Sequence, residues 1–96
     1  MTAIPLNPET QALARRIVWF EPPEQALADP IRFMAYVMAY ATPADLEVLR
    51  RYVSDDDFRE ALDKAPPGII DPWSWAYWNA RVGRYPAPPM PTRGFG

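Results

Sequence analysis

Hydrophobic residues recur along this chain with the three- to four-residue spacing of amphipathic helices, and proline interrupts the pattern at intervals. The pattern predicts helices over residues 8–20, 30–41, 43–53, 55–65 and 72–82, with an additional short turn at 23–28. We therefore expect an all-α fold, a compact bundle of about five short helices. Residues 1–84 are expected to form this single helical domain, and residues 85–96 a proline-rich tail.

A small polar residue followed by proline marks the predicted start of four helices. The pairs are Asn7-Pro8, Asp29-Pro30, Thr42-Pro43 and Asp71-Pro72. The polar side chain can accept a hydrogen bond from a free backbone N–H of the first turn. Proline is tolerated at the next position, because the N–H that it lacks would have had no partner there. Ser54, with Asp57 three residues later, has the spacing of a capping box. These signals predict where the helices begin.

The predicted helices differ in the width of their hydrophobic faces. Segment 30–41 contains one charge, Arg32, and is apolar on all sides, which is typical of a helix at the centre of a bundle. Segments 43–53 and 55–65 carry narrower apolar stripes. Gly83 lies where a left-handed residue often ends a helix. Because the connections are short, we expect neighbouring helices to pack as hairpins.

The composition excludes several classes of function. The chain has 96 residues with no Cys and no His, which excludes disulfides, a thiolate nucleophile, an imidazole base and a His-containing metal site. A net charge of −2 gives no general attraction to nucleic acid or anionic lipid. No apolar stretch approaches the ~20 residues that span a bilayer, and no secretory signal is visible. We expect a cytoplasmic protein that is not an enzyme and needs no cofactor.

The acidic run Asp55-Asp56-Asp57 is the densest cluster of candidate metal ligands. Consecutive side chains on a helix point about 100° apart, so that three in a row do not converge on one ion. Acidic groups are, however, favoured in the first turn of a helix by its dipole. We interpret this run as a helix start and not as a metal site.

Aromatic residues are the strongest candidates for a binding surface. Trp75 and Trp78 share one face of the last helix and are expected in the core, whereas Trp73 and Tyr77 form a second line. Aromatic and arginine side chains dominate the energy of protein interfaces, and the prolines of the tail reduce the entropy lost on binding. The candidate partner-binding residues are Trp19, Phe20, Trp73, Tyr77, Arg81, Tyr85, Met90, Arg93 and Phe95.

Residues 17–84 resemble a family of small bacterial proteins. The shared pattern runs from a WF segment with a proline turn, through a DP entry into an apolar helix ending YAT, to the DLEVLRRY and FREAL helices and the sequence APPGIIDPWSWAYW. Proteins of this type are encoded directly beside nucleotidyltransferase toxins of the abortive-infection (AbiE-like) class. The resemblance implies the role of an antitoxin or accessory subunit, and no catalytic residue is carried over.

Three hypotheses are open at this point. In the first, the helical domain is an antitoxin that binds a nucleotidyltransferase and covers its nucleotide or tRNA-acceptor cleft, with the tail extending the contact. In the second, residues 43–65 form the helix-turn-helix of a small DNA-binding repressor, although the second of these helices is acidic and would be repelled by DNA. In the third, a homo-oligomer buries the aromatic residues between its copies.

Overall fold

The computed structural model describes residues 1–92 and contains six α-helices and no strand within them. The helices are α1 (Pro8–Ile17), α2 (Pro23–Ala28), α3 (Pro30–Tyr40), α4 (Pro43–Leu49), α5 (Asp55–Lys64) and α6 (Pro72–Arg81). The prediction of an all-α bundle is confirmed. The additional turn expected at 23–28 is the helix α2.

Each helix that the sequence marked with a polar cap begins at that cap. The backbone N–H three residues later donates a hydrogen bond to the side chains of Asn7, Asp29, Thr42, Ser54 and Asp71. In α1, α4 and α5 the third residue of the helix also accepts a hydrogen bond from the N–H of the cap, which completes a capping box. Only α2 starts without a side-chain cap, after two consecutive prolines.

The first helix ends at Ile17 and not at residue 20 as predicted. Val18 leaves helical geometry, with φ −118° and ψ 65°, and Pro22 disfavours the helical conformation in the residue before it. Trp19 and Phe20 therefore lie in the turn that follows α1. The expectation that these two rings continue a helix face is wrong, and the turn presents them to solvent.

The fourth helix also ends early, at Leu49 and not at residue 53. The N–H of Tyr52 donates to the carbonyl of Leu49 at 2.8 Å, and this shorter loop tightens the last turn. The chain must then be extended at Ser54, with φ −101° and ψ 172°, because this residue caps α5. The predicted helix 43–53 is therefore a helix followed by a turn.

Helix α3 forms the centre of the bundle, as its all-round apolar sequence predicts. It packs against α1, α2, α5 and α6. Its fully buried residues include Phe33, Met34, Ala35 and Val37. Around it the other helices contribute the buried residues Leu13, Leu49, Phe58 and Leu62.

Neighbouring helices pack as hairpins in only part of the chain. The pairs α1–α2, α2–α3 and α5–α6 are in contact, but α4 packs mainly on α1 and α5 packs mainly on α3. The hairpin expectation is therefore wrong for α3, α4 and α5. The physical reason is that burying the broad apolar surface of α3 favours the amphipathic α5 beside it, and α4 is left at the edge of the bundle.

Trp78 of α6 connects three helices. Its ring stacks on that of Phe58 in α5, with centroids 4.8 Å apart and an interplanar angle of 7°. Its indole N–H donates a 2.9 Å hydrogen bond to the carbonyl of Met38 in the last turn of α3. That carbonyl has no donor within its own helix, so that the indole caps α3 from the side. The predicted core positions of Trp75 and Trp78 are confirmed, since they are 6% and 3% exposed.

Helix α6 ends in a Schellman motif around Gly83. The N–H of Gly83 donates to the carbonyl of Ala80 at 3.1 Å, and the N–H of Arg84 donates to the carbonyl of Asn79 at 2.8 Å. Gly83 has a φ of +87°. A Cβ atom there would meet nothing within 4 Å, so that the backbone conformation alone requires glycine.

We expect Trp78→Phe to lower the free energy of unfolding by about 2–3 kcal/mol, because it removes the hydrogen bond to α3 and part of the stacked ring. Trp73→Phe is the matched control, at a position 73% exposed, and should change the same quantity by less than about 0.5 kcal/mol. Urea denaturation followed by circular dichroism measures both. Equal effects of the two substitutions would contradict the role assigned to Trp78.

We expect Gly83→Ala to destabilise the protein by about 1 kcal/mol, because alanine is strained at positive φ. Gly83→Asn should cost less, since asparagine tolerates this conformation. The same denaturation experiment compares the two variants. If alanine is tolerated as well as asparagine, the positive φ of this position does not require glycine, and the assignment is wrong.

Candidate protein-interaction surface

Aromatic side chains form two exposed patches on the bundle. The first aromatic patch consists of Trp19, Phe20, Tyr36 and Tyr40, and the second aromatic patch consists of Trp73, Tyr77 and Arg81. Both contain residues that the sequence proposed for partner binding.

The first aromatic patch joins the turn after α1 to the outer side of α3. Trp19 and Phe20 meet edge to face with centroids 5.6 Å apart, and Phe20 meets Tyr36 in the same way at 5.5 Å. The rings of Tyr36 and Tyr40 lie 6.4 Å apart at an angle of 21°. These rings border a groove of about 400 Å³, here called the aromatic groove, which is lined by Arg16, Ile17, Trp19, Phe20, Tyr36 and Tyr40.

Charged pairs hold the rim of the aromatic groove. Arg16 donates to Oδ1 of Asp45 from Nε at 3.0 Å and from Nη2 at 2.7 Å. Arg32 pairs with Glu21 at 2.5 Å, and its guanidinium carbon lies 5.1 Å from the ring centroid of Tyr36. The carboxylates of Asp45 and Glu21 are therefore each held by an arginine.

Asp45 connects this rim to the start of α4. Burial raises the pKa of Asp45, but hydrogen bonds from Arg16 and Thr42 outweigh burial and leave this pKa below its ordinary value of 3.8. The same carboxylate closes the capping box of α4 with Thr42. The negative charge of Asp45 therefore stabilises both the helix start and the contact between α1 and α4.

Tyr36 and Tyr40 line the groove. Because they lie in a helix that is apolar on all sides, the sequence predicted that both would be buried in the bundle. Tyr40 is 66% exposed, and Tyr36 is half-buried against the core. A usable signal was present in the sequence. Arg32, Tyr36 and Tyr40 follow one another at intervals of four residues, so that they share one face of a helix, and the single charge marks that face as the one turned to solvent.

The second aromatic patch lies on the exposed side of α6. Trp73 and Tyr77 stack with centroids 5.4 Å apart and an interplanar angle of 8°. Arg81 donates to the hydroxyl of Tyr77 at 3.0 Å, and its guanidinium carbon lies 5.4 Å from the ring centroid of Trp78 and 5.8 Å from that of Tyr77. The structure thus brings together three residues that the sequence singled out for partner binding.

The described part of the tail, residues 85–92, lies against α6. The indole N–H of Trp75 donates a 2.7 Å hydrogen bond to the carbonyl of Pro88, and Ala87 and Met90 pack partly on the core. Tyr85 is 88% exposed. Of the four candidate residues in the tail, Tyr85 is free to meet a partner and Met90 is partly covered. Arg93 and Phe95 lie outside the described residues.

The acidic run at the start of α5 makes ordinary helix contacts. The carboxylates of Asp55, Asp56 and Asp57 bind, respectively, Arg50, Arg59 and the backbone N–H of Ser54. The hydrogen bond from Arg50 also lowers the pKa of Asp55. No group of three acidic side chains within residues 1–92 is arranged to hold a metal ion.

The segment proposed for DNA binding does not form a helix-turn-helix unit, because α4 packs mainly on α1 and not on α5. Its arginines are engaged within the protein. Arg50 pairs with Asp55 at 3.0 Å, and Arg51 pairs with Glu9 at 2.6 Å. No observation in this segment favours the hypothesis of a DNA-binding repressor.

Comparison of the chain with protein-family models, with curated proteins and with solved structures finds no match. Among the helices described here, none is long and apolar enough to cross a membrane.

We expect Asp45→Asn to destabilise the protein by about 1 kcal/mol at neutral pH, because the substitution removes a charge bonded to Arg16, which is itself half exposed. The pKa of Asp45 is lowered in the folded state. Its contribution to stability is therefore complete above its ordinary pKa of 3.8 and is lost as the pH falls through the lowered value.

The difference between wild type and Asp45→Asn should therefore close in acid. Urea denaturation of both proteins across the range from neutral pH to about pH 2.5 measures this difference. A gap that stays constant over the whole range would contradict the assignment, because the stabilisation would then not depend on the charge of Asp45.

Proposed function

We propose that this chain is a non-catalytic protein-interaction module that acts in the cytoplasm as an antitoxin, binding and neutralising a nucleotidyltransferase toxin. The observation that carries the interaction role is the exposure of two tryptophans, Trp19 at 78% and Trp73 at 73%. Large apolar patches on a folded protein are typical of binding sites. Tryptophan, tyrosine and arginine are enriched at the centres of interfaces. Both patches contain tryptophan and tyrosine, Arg81 belongs to the second, and Arg16 lines the groove beside the first.

Contacts within each patch support a binding role because they fix the rings before a partner arrives. In the first aromatic patch, Phe20 lies between Trp19 and Tyr36. In the second, Tyr77 stacks on Trp73 and meets the buried Trp78 edge to face at 5.6 Å. Side chains that are already ordered lose little entropy on binding, and so they retain more of the energy gained by burying their area.

The nature of the partner is supported by the resemblance of residues 17–84 to proteins encoded beside nucleotidyltransferase toxins. In this proposal, neutralisation is steric. The bundle covers the nucleotide or tRNA-acceptor cleft of the toxin through its aromatic patches, and no bond is made or broken by the chain. The net charge of −2 agrees with a protein partner, since it gives no general attraction to nucleic acid.

A homo-oligomer is a second candidate, because the same exposed aromatic patches could be buried between two copies of the chain. Light scattering at micromolar concentration separates the two candidates. A monomeric mass excludes the oligomer, whereas a stable dimer whose mass falls to that of a monomer in Trp19→Ala would favour it.

Co-expression with the product of the adjacent gene, which the proposal expects to be a nucleotidyltransferase toxin, tests the antitoxin proposal. We expect the wild-type chain to co-purify with the toxin and to relieve its growth arrest. The double variants Trp19→Ala/Phe20→Ala and Trp73→Ala/Tyr77→Ala should each weaken the affinity tenfold or more, because each removes two interface anchors. Isothermal titration calorimetry measures the affinity.

Leu6→Ala is the control for this experiment, since Leu6 is an exposed apolar residue that belongs to neither patch. It should leave the affinity within about twofold of wild type. A wild-type chain that neither co-purifies with the toxin nor restores growth contradicts the antitoxin proposal. Two double variants that bind as tightly as Leu6→Ala would contradict the assignment of the surface.

A further inference from the structure

We infer that the aromatic groove binds a proline-rich, extended segment of the partner protein. The inference rests on the proposed function, because it specifies which kind of segment of a protein partner this groove accepts.

The aromatic groove is lined by side chains that carry hydrogen-bond donors and by no carboxylate. Within residues 1–92, the tryptophan indoles that donate to a carbonyl are those of Trp75 and Trp78. The indole of Trp19 and the hydroxyl of Tyr40 have no partner in this part of the chain, and both side chains are exposed. Since the neighbouring carboxylates are bound by arginines, the groove suits a ligand that is rich in acceptors and poor in donors.

A proline-rich segment has this complementary chemistry. Proline has no backbone N–H, so that such a segment brings carbonyl acceptors and few donors that would lose their hydrogen bonds with water. Its rings pack on aromatic side chains, and its extended conformation is formed before binding, which lowers the entropy cost. Proline-rich segments are known to dock in grooves lined by aromatic residues.

The chain already makes a contact of this kind within itself. The indole N–H of Trp75 donates to the carbonyl of Pro88 at 2.7 Å, in a tail that also has proline at positions 86, 89 and 91. Ala87 and Met90, on either side of Pro88, pack partly on the core. Trp19 presents the same donor beside aromatic rings on a different part of the surface.

A blocked decaproline peptide is a suitable probe, because it offers carbonyl acceptors and no backbone donors except at its ends. A (Gly-Ser)₅ peptide of equal length is the control. We expect decaproline to shift the indole N–H resonance of Trp19 and the backbone amides of Tyr36 and Tyr40 in a saturable way in ¹H–¹⁵N spectra. The Gly-Ser peptide should leave these resonances in place.

Substitutions assign the binding to this groove. Trp19→Ala should weaken decaproline binding at least about fivefold, measured from the amides of Tyr36 and Tyr40. Trp73→Ala is the matched control, since it removes an equally exposed tryptophan from the second aromatic patch, and it should leave the affinity unchanged. Both positions are exposed, and unchanged circular dichroism confirms that the variants fold.

Three results would overturn the inference: no shift at Trp19 with decaproline, equal binding of the Gly-Ser peptide, or tighter binding of a single-stranded oligothymidine at the same resonances. The outcome is separable from that of the proposed function. If the toxin binds through the groove but decaproline does not, the inference of a proline-rich ligand is refuted and the antitoxin role is left intact. If decaproline binds but the toxin does not, only the antitoxin role is refuted.

Discussion

The contact of Trp78 with α3 and α5 is the interaction on which the arrangement of the surface depends. One face of its ring stacks on Phe58, and its indole N–H satisfies the carbonyl of Met38 at the end of α3. These contacts fix the rotation of α6 about its own axis, because Trp78 must face inward. Trp73 and Tyr77 then lie about 140° and about 100° around the helix from Trp78, where they are exposed.

The bundle therefore divides its aromatic residues between two tasks. Trp75 and Trp78 are covered and carry hydrogen bonds to carbonyls, as buried indoles usually do. Trp19 and Trp73 are exposed beside other aromatic rings, with Arg16 lining the groove next to Trp19 and Arg81 bonded to the Tyr77 hydroxyl next to Trp73. In the proposed function, the exposed pair serves the surface that another macromolecule covers, whereas the buried pair holds the bundle together.

Helix starts were the most predictable part of the fold, because a cap such as Ser54 acts through hydrogen bonds to its immediate neighbours in sequence. Helix ends were less predictable, since α4 stops where the next cap requires an extended backbone, and packing partners depended on the shape of α3. The sequence singled out Trp19, Phe20, Trp73 and Tyr77, which the structure leaves exposed. It missed Tyr36 and Tyr40, because hydropathy alone does not show which side of an apolar helix faces solvent.

The central claim, that the exposed tryptophans are covered by the toxin, can be measured directly with ¹⁹F NMR. The chain is labelled with 5-fluorotryptophan, and a soluble paramagnetic agent reports the accessibility of the four resonances before and after the toxin is added. The account predicts that Trp19 and Trp73 are broadened by the agent in the free chain and protected in the complex, while Trp75 and Trp78 stay protected throughout. Trp19 and Trp73 that remain accessible in a saturated complex would contradict it.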